Sequence, residues 1–286
     1  MNYRHVYHAG NFADVVKHAA LTRIVEYLKK KEASFRVIDT HAGRGLYDLS
    51  SAEAQKTGEW RDGIGRIMEA KLPREAALLL KPYLDAVAAF NPEGGLRQYP
   101  GSPLITRALL RKQDRLSAIE LHPEDAESLA AQFEGDVQTR VIVLNGWLAL
   151  GAHLPPKEKR GLVLVDPPFE EAGEFDRMAD GLAKRHRRWP GGVYALWHPI
   201  KDRRAVNAFR SALKDSGIPK ITDIVFEIRA ASSEPRLDGC GIAVVNLPYG
   251  LAKELHTILA ALKPLLGENG AGRFAINVLT GENGGA

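Results

Sequence analysis

Short apolar runs alternate with helical patterns along most of the chain. The run Leu162-Val163-Leu164-Val165 is rich in β-branched residues and is followed by prolines, which is typical of a buried parallel strand. Similar runs predict strands at 35–39, 115–120, 140–144, 193–197, 221–228 and 242–247, with a candidate edge strand at 274–279. Helical spacing at 11–31, 203–216 and 251–266 completes the pattern. The alternation predicts a doubly wound α/β sheet with a right-handed parallel core.

The interval between the first two predicted strands is far longer than one crossover helix requires. Helical periods recur within it, and it ends in the loop sequence Asn91-Pro92-Glu93-Gly94-Gly95. We therefore expect a helical insertion with little strand content over 49–97, within a single domain spanning 1–286.

Composition narrows the class of protein. With 286 residues, of which 45% are apolar, the chain can form one sizeable core. A single cysteine, Cys240, excludes an internal disulfide and a cysteine-based zinc site, and it is expected to pack in a core strand. No apolar run approaches membrane-span length, so a cytoplasmic protein without a signal peptide is expected. The net charge of +4 weakly favours a polyanionic partner.

The segment Asp166-Pro167-Pro168-Phe169 is the strongest chemical motif. It follows a predicted strand, where α/β sheets place their ligands. Two prolines stiffen the backbone, so a carboxylate and carbonyl groups are held beside an aromatic ring. A planar amine could stack on Phe169 and donate its N–H groups to this corner. The pattern resembles the signature of amino-methyltransferases.

Other strand ends carry candidate cofactor residues. The turn Thr40-His41-Ala42-Gly43-Arg44-Gly45 allows close backbone approach, but Asp48 stands where a dinucleotide fingerprint needs glycine, which disfavours a nicotinamide site. Glu120 could accept ribose hydroxyls or simply cap a helix. Asn145-Gly146 could meet an adenine edge or form a plain turn. Ser102-Pro103 reads as the start of a helix, with or without a ligand contact.

Cations and aromatics suggest a nucleic acid. Tyr3, His5 and Lys17 belong to an N-terminal segment in which such residues interleave, as in surfaces that stack on bases and pair with phosphates. The cluster 184–189 is either a solvated helix end or a phosphate contact. His5 and His8 lack an evident third ligand, so no metal is expected.

Several longer segments resemble one family, the 23S ribosomal RNA adenine-N6 methyltransferases of the J type. They spread over about two thirds of the chain in the family's order: Tyr3-Arg4-His5, His8-Ala9-Gly10-Asn11, Ala13-Asp14-Val15, Lys17-His18, Asp39-Thr40-His41-Ala42-Gly43, Tyr99-Pro100-Gly101-Ser102-Pro103-Leu104-Ile105, Glu120-Leu121-His122-Pro123, Asp166-Pro167-Pro168 and Tyr194-Ala195-Leu196-Trp197.

The resemblance implies a Rossmann-like class I methyltransferase fold, with a seven-stranded, mostly parallel sheet and the helical insertion after strand one. It implies S-adenosylmethionine as cofactor and 23S ribosomal RNA as the partner. Apart from the resemblance, we expect free or early-assembly RNA as the substrate and a monomeric protein. Asp166 would be catalytic and would also meet the cofactor. The remaining expected contacts are His18, His41, Ser102, Glu120, Asn145 and Gly146 for the cofactor, and Tyr3, His5, Lys17, Pro167 and Phe169 for the RNA.

Two positions depart from the family pattern, and rival functions remain open. Asn145 replaces an acidic residue, and Phe169 replaces a tyrosine, which keeps stacking but loses a hydroxyl. A DNA adenine methyltransferase shares the motif, and a protein-glutamine methyltransferase is disfavoured by the basic, aromatic N-terminus. A non-catalytic RNA-binding module is the rival from another class.

Overall fold

A computed structural model describes residues 5–232 and 236–282. Within these ranges the strands are β1 Arg36–Asp39, β2 Leu46–Asp48, β3 Gln98–Pro100, β4 Arg115–Glu120, β5 Thr139–Val143, β6 Gly161–Val165, β7 Val193–Ile200, β8 Ile221–Glu227, β9 Gly239–Val245 and β10 Arg273–Thr280. The α-helices are α1 Phe12–Lys29, α2 Ala52–Thr57, α3 Arg66–Glu69, α4 Arg74–Ala89, α5 Ser102–Leu109, α6 Pro123–Gln132, α7 Gly146–Ala152, α8 Glu174–His186, α9 Arg203–Asp215 and α10 Leu251–Leu266. Short 3₁₀ turns lie at His5–Tyr7 and Glu268–Gly270, and a π turn at Arg61–Gly65.

Eight strands form the main sheet in the order β10-β8-β9-β7-β6-β1-β4-β5. The five strands from β7 to β5 run parallel, whereas β9, β8 and β10 are joined by antiparallel pairings. The α/β class is therefore confirmed, but the predicted count of seven is wrong by one. The candidate edge strand is a full member of the sheet, because β10 pairs with β8 along most of its length.

Both faces of the sheet are buried, as its parallel centre requires. Along β6, Leu162 and Leu164 pack into the core beneath α1, α5 and α10. Val163 and Val165 point the other way and pack against α7, α8 and α9. This two-residue alternation explains why an uninterrupted apolar run is needed in a central strand.

The long interval after β1 is enclosed by a two-stranded antiparallel ribbon. β2 pairs with β3, and helices α2, α3 and α4 lie between them in sequence. The sequence did not predict this ribbon, since three-residue strands are too short to show a period. The strands border the expected insertion at 49–97, whose status as a separate unit stays a prediction.

A backbone contact joins this insertion to the start of α1. The Ile64 N–H donates to the Gly10 carbonyl over 2.8 Å. A Cβ atom at Gly63 would lie 2.1 Å from that same carbonyl oxygen, so only glycine fits there.

None of the helices in the described ranges combines the length and hydropathy needed to cross a bilayer. Within the same ranges, no three His, Cys, Asp or Glu side chains are grouped as a metal site would need.

Candidate active site

A cavity of about 330 Å³ opens beside the carboxyl ends of β1, β4 and β6. It is bounded on another side by α1 and by the chain that precedes it. All but one of the residues expected to have a role line it: His5, Lys17, His18, His41, Ser102, Glu120, Asn145, Gly146, Asp166, Pro167 and Phe169. The exception, Tyr3, lies outside the described residues. Residues up to 164 positions apart in sequence thus share one cavity.

Three charged side chains form a buried network at Asp166. The Lys17 ammonium lies 2.5 Å from Asp166 Oδ2 and 2.8 Å from Asp14 Oδ1. His5 Nε2 and the Gly10 N–H both contact the other oxygen of Asp14, at 3.0 and 2.8 Å. Lys17 is only 5% exposed and is paired with two carboxylates, and its expected contact with RNA stays a prediction.

This network shifts the pKa of its members. Burial opposes ionisation of Asp14, but Lys17 and His5 lower its pKa well below the ordinary value. Burial likewise opposes the charge on Lys17, and the two carboxylates outweigh it, so the pKa of Lys17 is raised. The pair Lys17 and Asp14 is therefore charged at neutral pH.

Asp39 ends β1 in a different electrostatic setting. Its Oδ2 accepts a 2.6 Å hydrogen bond from the Ser102 hydroxyl, whereas Oδ1 has no hydrogen-bond partner among the described residues. Burial raises the pKa of Asp39 to about 7, against the lowering effect of the Ser102 hydrogen bond. One acceptor atom is therefore left over beside the predicted cofactor residue Ser102.

Two histidines at the cavity are held neutral. Burial lowers the pKa of His18 to about 3, with the charge on Lys17 acting in the same direction. Burial also lowers the pKa of His41 to about 4, although Asp166 opposes this. The ring of His41 meets the Thr40 hydroxyl through Nδ1 at 2.8 Å.

Glu120 organises the turn after β1. Its Oε2 accepts from the Gly43 N–H, and its Oε1 accepts from the Leu121 and His122 N–H groups, all at 2.8 Å. Both interpretations of the sequence are compatible with this geometry, because the carboxylate supports the local backbone and also lines the cavity.

Asn145 and Gly146 begin α7. The Asn145 side-chain oxygen accepts from the Trp147 N–H at 2.9 Å and so caps this helix. Its amide N–H₂ group is not used by that cap. A Cβ atom at Gly146 would lie 2.4 Å from the Thr40 carbonyl oxygen and 2.9 Å from the His41 ring, so the glycine allows β1 and α7 to approach closely.

Phe169 closes the acidic corner. Its φ of +53° is in the left-handed region, which is rare for an aromatic residue and marks strain of the kind found at ligand sites. The ring packs edge-on against Phe175 and Trp197, with centroids 4.9 and 5.9 Å away. Two aromatic neighbours therefore fix the plane on which a base could stack.

Several residues that line the cavity or contact its lining have no role predicted from the sequence. Asp14, Asp39 and Tyr99 stand inside the quoted segments, but nothing in the sequence reveals that they contact Lys17, Ser102 and His18 respectively. Glu59 of the insertion was also missed, and it meets His8 Nδ1 at 3.0 Å. His5 and His8 thus contact separate carboxylates.

The basic cluster 184–189 lies away from the cavity. It begins in the last turn of α8, a helix whose first residue, Glu174, lines the cavity and whose 13 residues extend about 20 Å. Arg188 donates to the Gly151 carbonyl, and Trp189 is buried. The cluster is therefore partly structural.

A mixed sheet with a parallel centre and helices on both faces, with a glycine-rich turn after β1 and an Asp-Pro-Pro-aromatic corner after β6, defines the class I methyltransferase type of fold. The sequence matches the family described as "Ribosomal RNA large subunit methyltransferase D, RlmJ" over residues 32–280. It is 40% identical over 283 residues to "Ribosomal RNA large subunit methyltransferase J" of Escherichia coli K12, covering 99% of this chain and 100% of that one. The protein of the same name from Haemophilus influenzae Rd is 39% identical, again over 99% and 100% of the two chains.

A solved structure agrees with these matches. The crystal structure of a Legionella pneumophila protein superposes with a TM-score of 0.87 and 31% identity, covering 95% of this chain and 98% of that one. The chain belongs to the ribosomal RNA large subunit methyltransferase J family.

Proposed function

We propose that the protein transfers a methyl group from S-adenosylmethionine to N6 of an adenine in 23S ribosomal RNA. The observation that carries the proposal is the Asp166-Pro167-Pro168-Phe169 corner, which lines the same cavity as the predicted cofactor residues. Family membership supports ribosomal RNA of the large subunit as the substrate class.

The cavity suits a zwitterionic nucleoside cofactor. His18 lines the cavity, and its Nε2 is a buried atom without a partner among the described residues, so one candidate donor remains for an amino-acid group. Asp39 Oδ1 is a second such atom, directly before the lining residue Thr40. Gly43 and Gly146 leave room where a side chain would collide with Tyr47 or Thr40. We therefore assign His18, His41, Ser102, Glu120, Asn145, Gly146 and Asp166 to S-adenosylmethionine, which supplies an electrophilic methyl group when bound.

Asp166 and the Pro167 carbonyl are the proposed acceptors for the adenine amine. The N6 lone pair is delocalised into the purine ring, and two accepted hydrogen bonds favour a pyramidal nitrogen and stabilise the developing positive charge. Asp166 or water then takes the proton that N6 loses after methylation. The ammonium of Lys17 fixes the orientation of Asp166 during this change, so we propose Lys17 as a positioning residue.

The target adenine must leave its stack to reach this corner, because N6 inside a helix is inaccessible to the cavity. Phe169 offers a face for the extruded base, and Pro167 adds rigidity beside it. His5, which is held by Asp14, is the proposed contact for the neighbouring RNA, together with Tyr3.

The decisive experiment incubates the purified protein and unmodified 23S ribosomal RNA with methyl-labelled S-adenosylmethionine. After digestion to nucleosides, mass spectrometry should find the label in N6-methyladenosine. Asp166→Ala should abolish the product while calorimetry still detects S-adenosylhomocysteine. Label in another nucleoside, exclusive modification of duplex DNA or of a protein glutamine, or RNA binding without cofactor affinity would each contradict the proposal.

A further inference from the structure

A buried hydrogen-bond chain connects the cavity to the inserted helices. His18 Nδ1 lies 2.6 Å from the Tyr99 hydroxyl, which lies 2.9 Å from the Tyr83 hydroxyl. His18 belongs to α1, Tyr99 to β3 and Tyr83 to α4. His18 is 1% exposed and both tyrosines are fully buried, so water cannot substitute for any member.

The donor-to-acceptor direction of this hydrogen-bond chain follows from counting the hydrogens on the two hydroxyl groups and the imidazole. If Tyr83 donates to Tyr99 and Tyr99 donates to His18 Nδ1, both hydroxyl hydrogens have acceptors. In the reverse direction the Tyr83 hydroxyl hydrogen has no acceptor, because Tyr99 is the only hydrogen-bond partner of this hydroxyl among the described residues. A buried O–H group without an acceptor is costly, so the first direction is favoured.

This direction determines the tautomer of the imidazole. A neutral histidine carries one hydrogen, and a ring that accepts at Nδ1 must carry it on Nε2. Burial keeps the ring neutral by lowering the pKa of His18 to about 3. Nε2 is the ring nitrogen that has no partner among the described residues.

We infer that Tyr83 and Tyr99 fix His18 as the Nε2–H tautomer, and that this donor selects a cofactor carrying a carboxylate. The inference rests on the proposed function for the identity of the ligand, but not for the tautomer. Asp14, Glu120 and Asp166 already line the cavity as acceptors, so a ligand carboxylate needs donors such as this one. Tyr99 and Tyr83 are thus positioning residues that act through His18.

The tautomer can be measured without any ligand. Nitrogen-15 NMR of the labelled protein distinguishes protonated from unprotonated imidazole nitrogens, and His18→Ala identifies the His18 signals among the nine histidines. We expect Nε2 protonated and Nδ1 unprotonated. In Tyr99→Phe, the donor to Nδ1 is lost and the signals should shift towards the other tautomer. A wild-type spectrum with Nδ1 protonated would overturn the relay.

Ligand discrimination tests the consequence. Calorimetry compares S-adenosylhomocysteine, which has a carboxylate, with 5′-methylthioadenosine, which lacks the amino-acid group. Tyr99→Phe should weaken S-adenosylhomocysteine about tenfold and leave 5′-methylthioadenosine unchanged. Tyr83→Phe should have a smaller effect of the same kind, because Tyr99 can still donate to His18.

Matched variants separate this role from structural damage. Tyr194→Phe removes another buried tyrosine hydroxyl, one that donates to the Trp189 carbonyl, and should change neither affinity. In a His18→Ala background, Tyr99→Phe should have no further effect. Equal weakening of both nucleosides by Tyr99→Phe would overturn the selection. If the wild-type protein binds neither nucleoside, the proposed cofactor fails, while the NMR result still decides the relay.

Discussion

At the scale of single residues, the charge balance around Lys17 is the feature with the largest energetic consequence. The cation lies between Asp14 and Asp166, and all three side chains are largely shielded from water. Removing one partner of a buried ion pair leaves an uncompensated charge, whose cost is several times that of a surface pair.

Lys17→Met should therefore destabilise the protein by about 3–5 kcal/mol at pH 7, as measured by urea unfolding. In the native protein the lowered pKa of Asp14 contributes stability that is present above 3.8 and is lost as pH falls through the folded value. The variant lacks this contribution, so its deficit should shrink in acid. Lys29→Met removes a partly exposed pair with Glu26 in the same helix and should cost less than about 1 kcal/mol. Equal losses of stability in the two variants would contradict the claim that burial makes the Lys17 ion pair the more important one.

Asp39 should show the opposite pH dependence. Its pKa rises from 3.8 in the unfolded chain to about 7 in the fold, so the folded state holds a proton that the unfolded state has released. The free energy of unfolding should therefore fall as the pH rises from 3.8 to about 7. Asp39→Asn should abolish this part of the slope while preserving an acceptor for Ser102. Asp223→Asn is the control of opposite sign, since His198 and Arg210 lower the pKa of that buried acid against the effect of burial.

Residue types could be predicted at this scale, but contacts could not. The motif predicted that Asp166 follows a strand at a ligand site. In the structure Asp166 directly follows β6 and lines the cavity. The ion pair of Lys17 with Asp166 was not predicted, because nothing in the sequence indicates that a cation 149 positions away lies beside that carboxylate. The same limit hid the contact of His18 with Tyr99.

At the scale of elements, the approach of α7 to β1 depends on Gly146. An added methyl group there must displace the Thr40 carbonyl or the His41 ring. Both belong to the turn assigned to the cofactor, so a change at the start of one helix alters a neighbouring strand end.

Gly146→Ala should weaken S-adenosylhomocysteine binding at least tenfold by calorimetry, because the turn after β1 must move. Gly181→Ala is the matched control. That glycine lies inside α8, where a Cβ atom would make an ordinary 3.5 Å contact with Trp147. The control should bind normally and gain up to about 1 kcal/mol of stability. Normal binding by Gly146→Ala would show that the turn tolerates displacement.

Elements with a clear period were predicted, and those without one were not. The alternation in β6 is strong, because both of its faces are buried. β9 begins at Gly239, three residues before the predicted start at 242. The prediction began too late because glycine is unfavourable in strands, and Gly239 and Gly241 both lie in the first part of β9. Gly241 is needed there, since a Cβ atom would lie 2.3 Å from the His198 ring of the adjacent strand. The requirement for glycine is set by His198 on the neighbouring strand, and the local sequence around Gly241 does not reveal that contact.

At the scale of the whole molecule, the net charge of +4 should attract the proposed RNA substrate, and the positions of the cations decide whether it is attracted to the cavity. Lys201 lines the cavity and is exposed, whereas Arg187 is exposed beyond the far end of α8. The two cations contribute equally to net charge but differ in position.

Lys201→Ala should weaken binding of a short 23S hairpin and lower the salt slope of the affinity by about one ion. Arg187→Ala should leave both quantities nearly unchanged if the RNA lies over the cavity. Fluorescence anisotropy at several salt concentrations measures both. A larger effect of Arg187 would instead favour the phosphate contact expected of the 184–189 cluster.

The close contact between Gly10 and Gly63 links the insertion to the side of the cavity that α1 forms. Because backbone contacts backbone here, the inserted helices cannot move independently of the start of α1, whose first two turns carry Asp14 and Lys17. A bulky residue at either glycine would therefore slow turnover even with every ligand-contacting group intact. Neither glycine lines the cavity, so such a defect would be mistaken for a loss of RNA recognition.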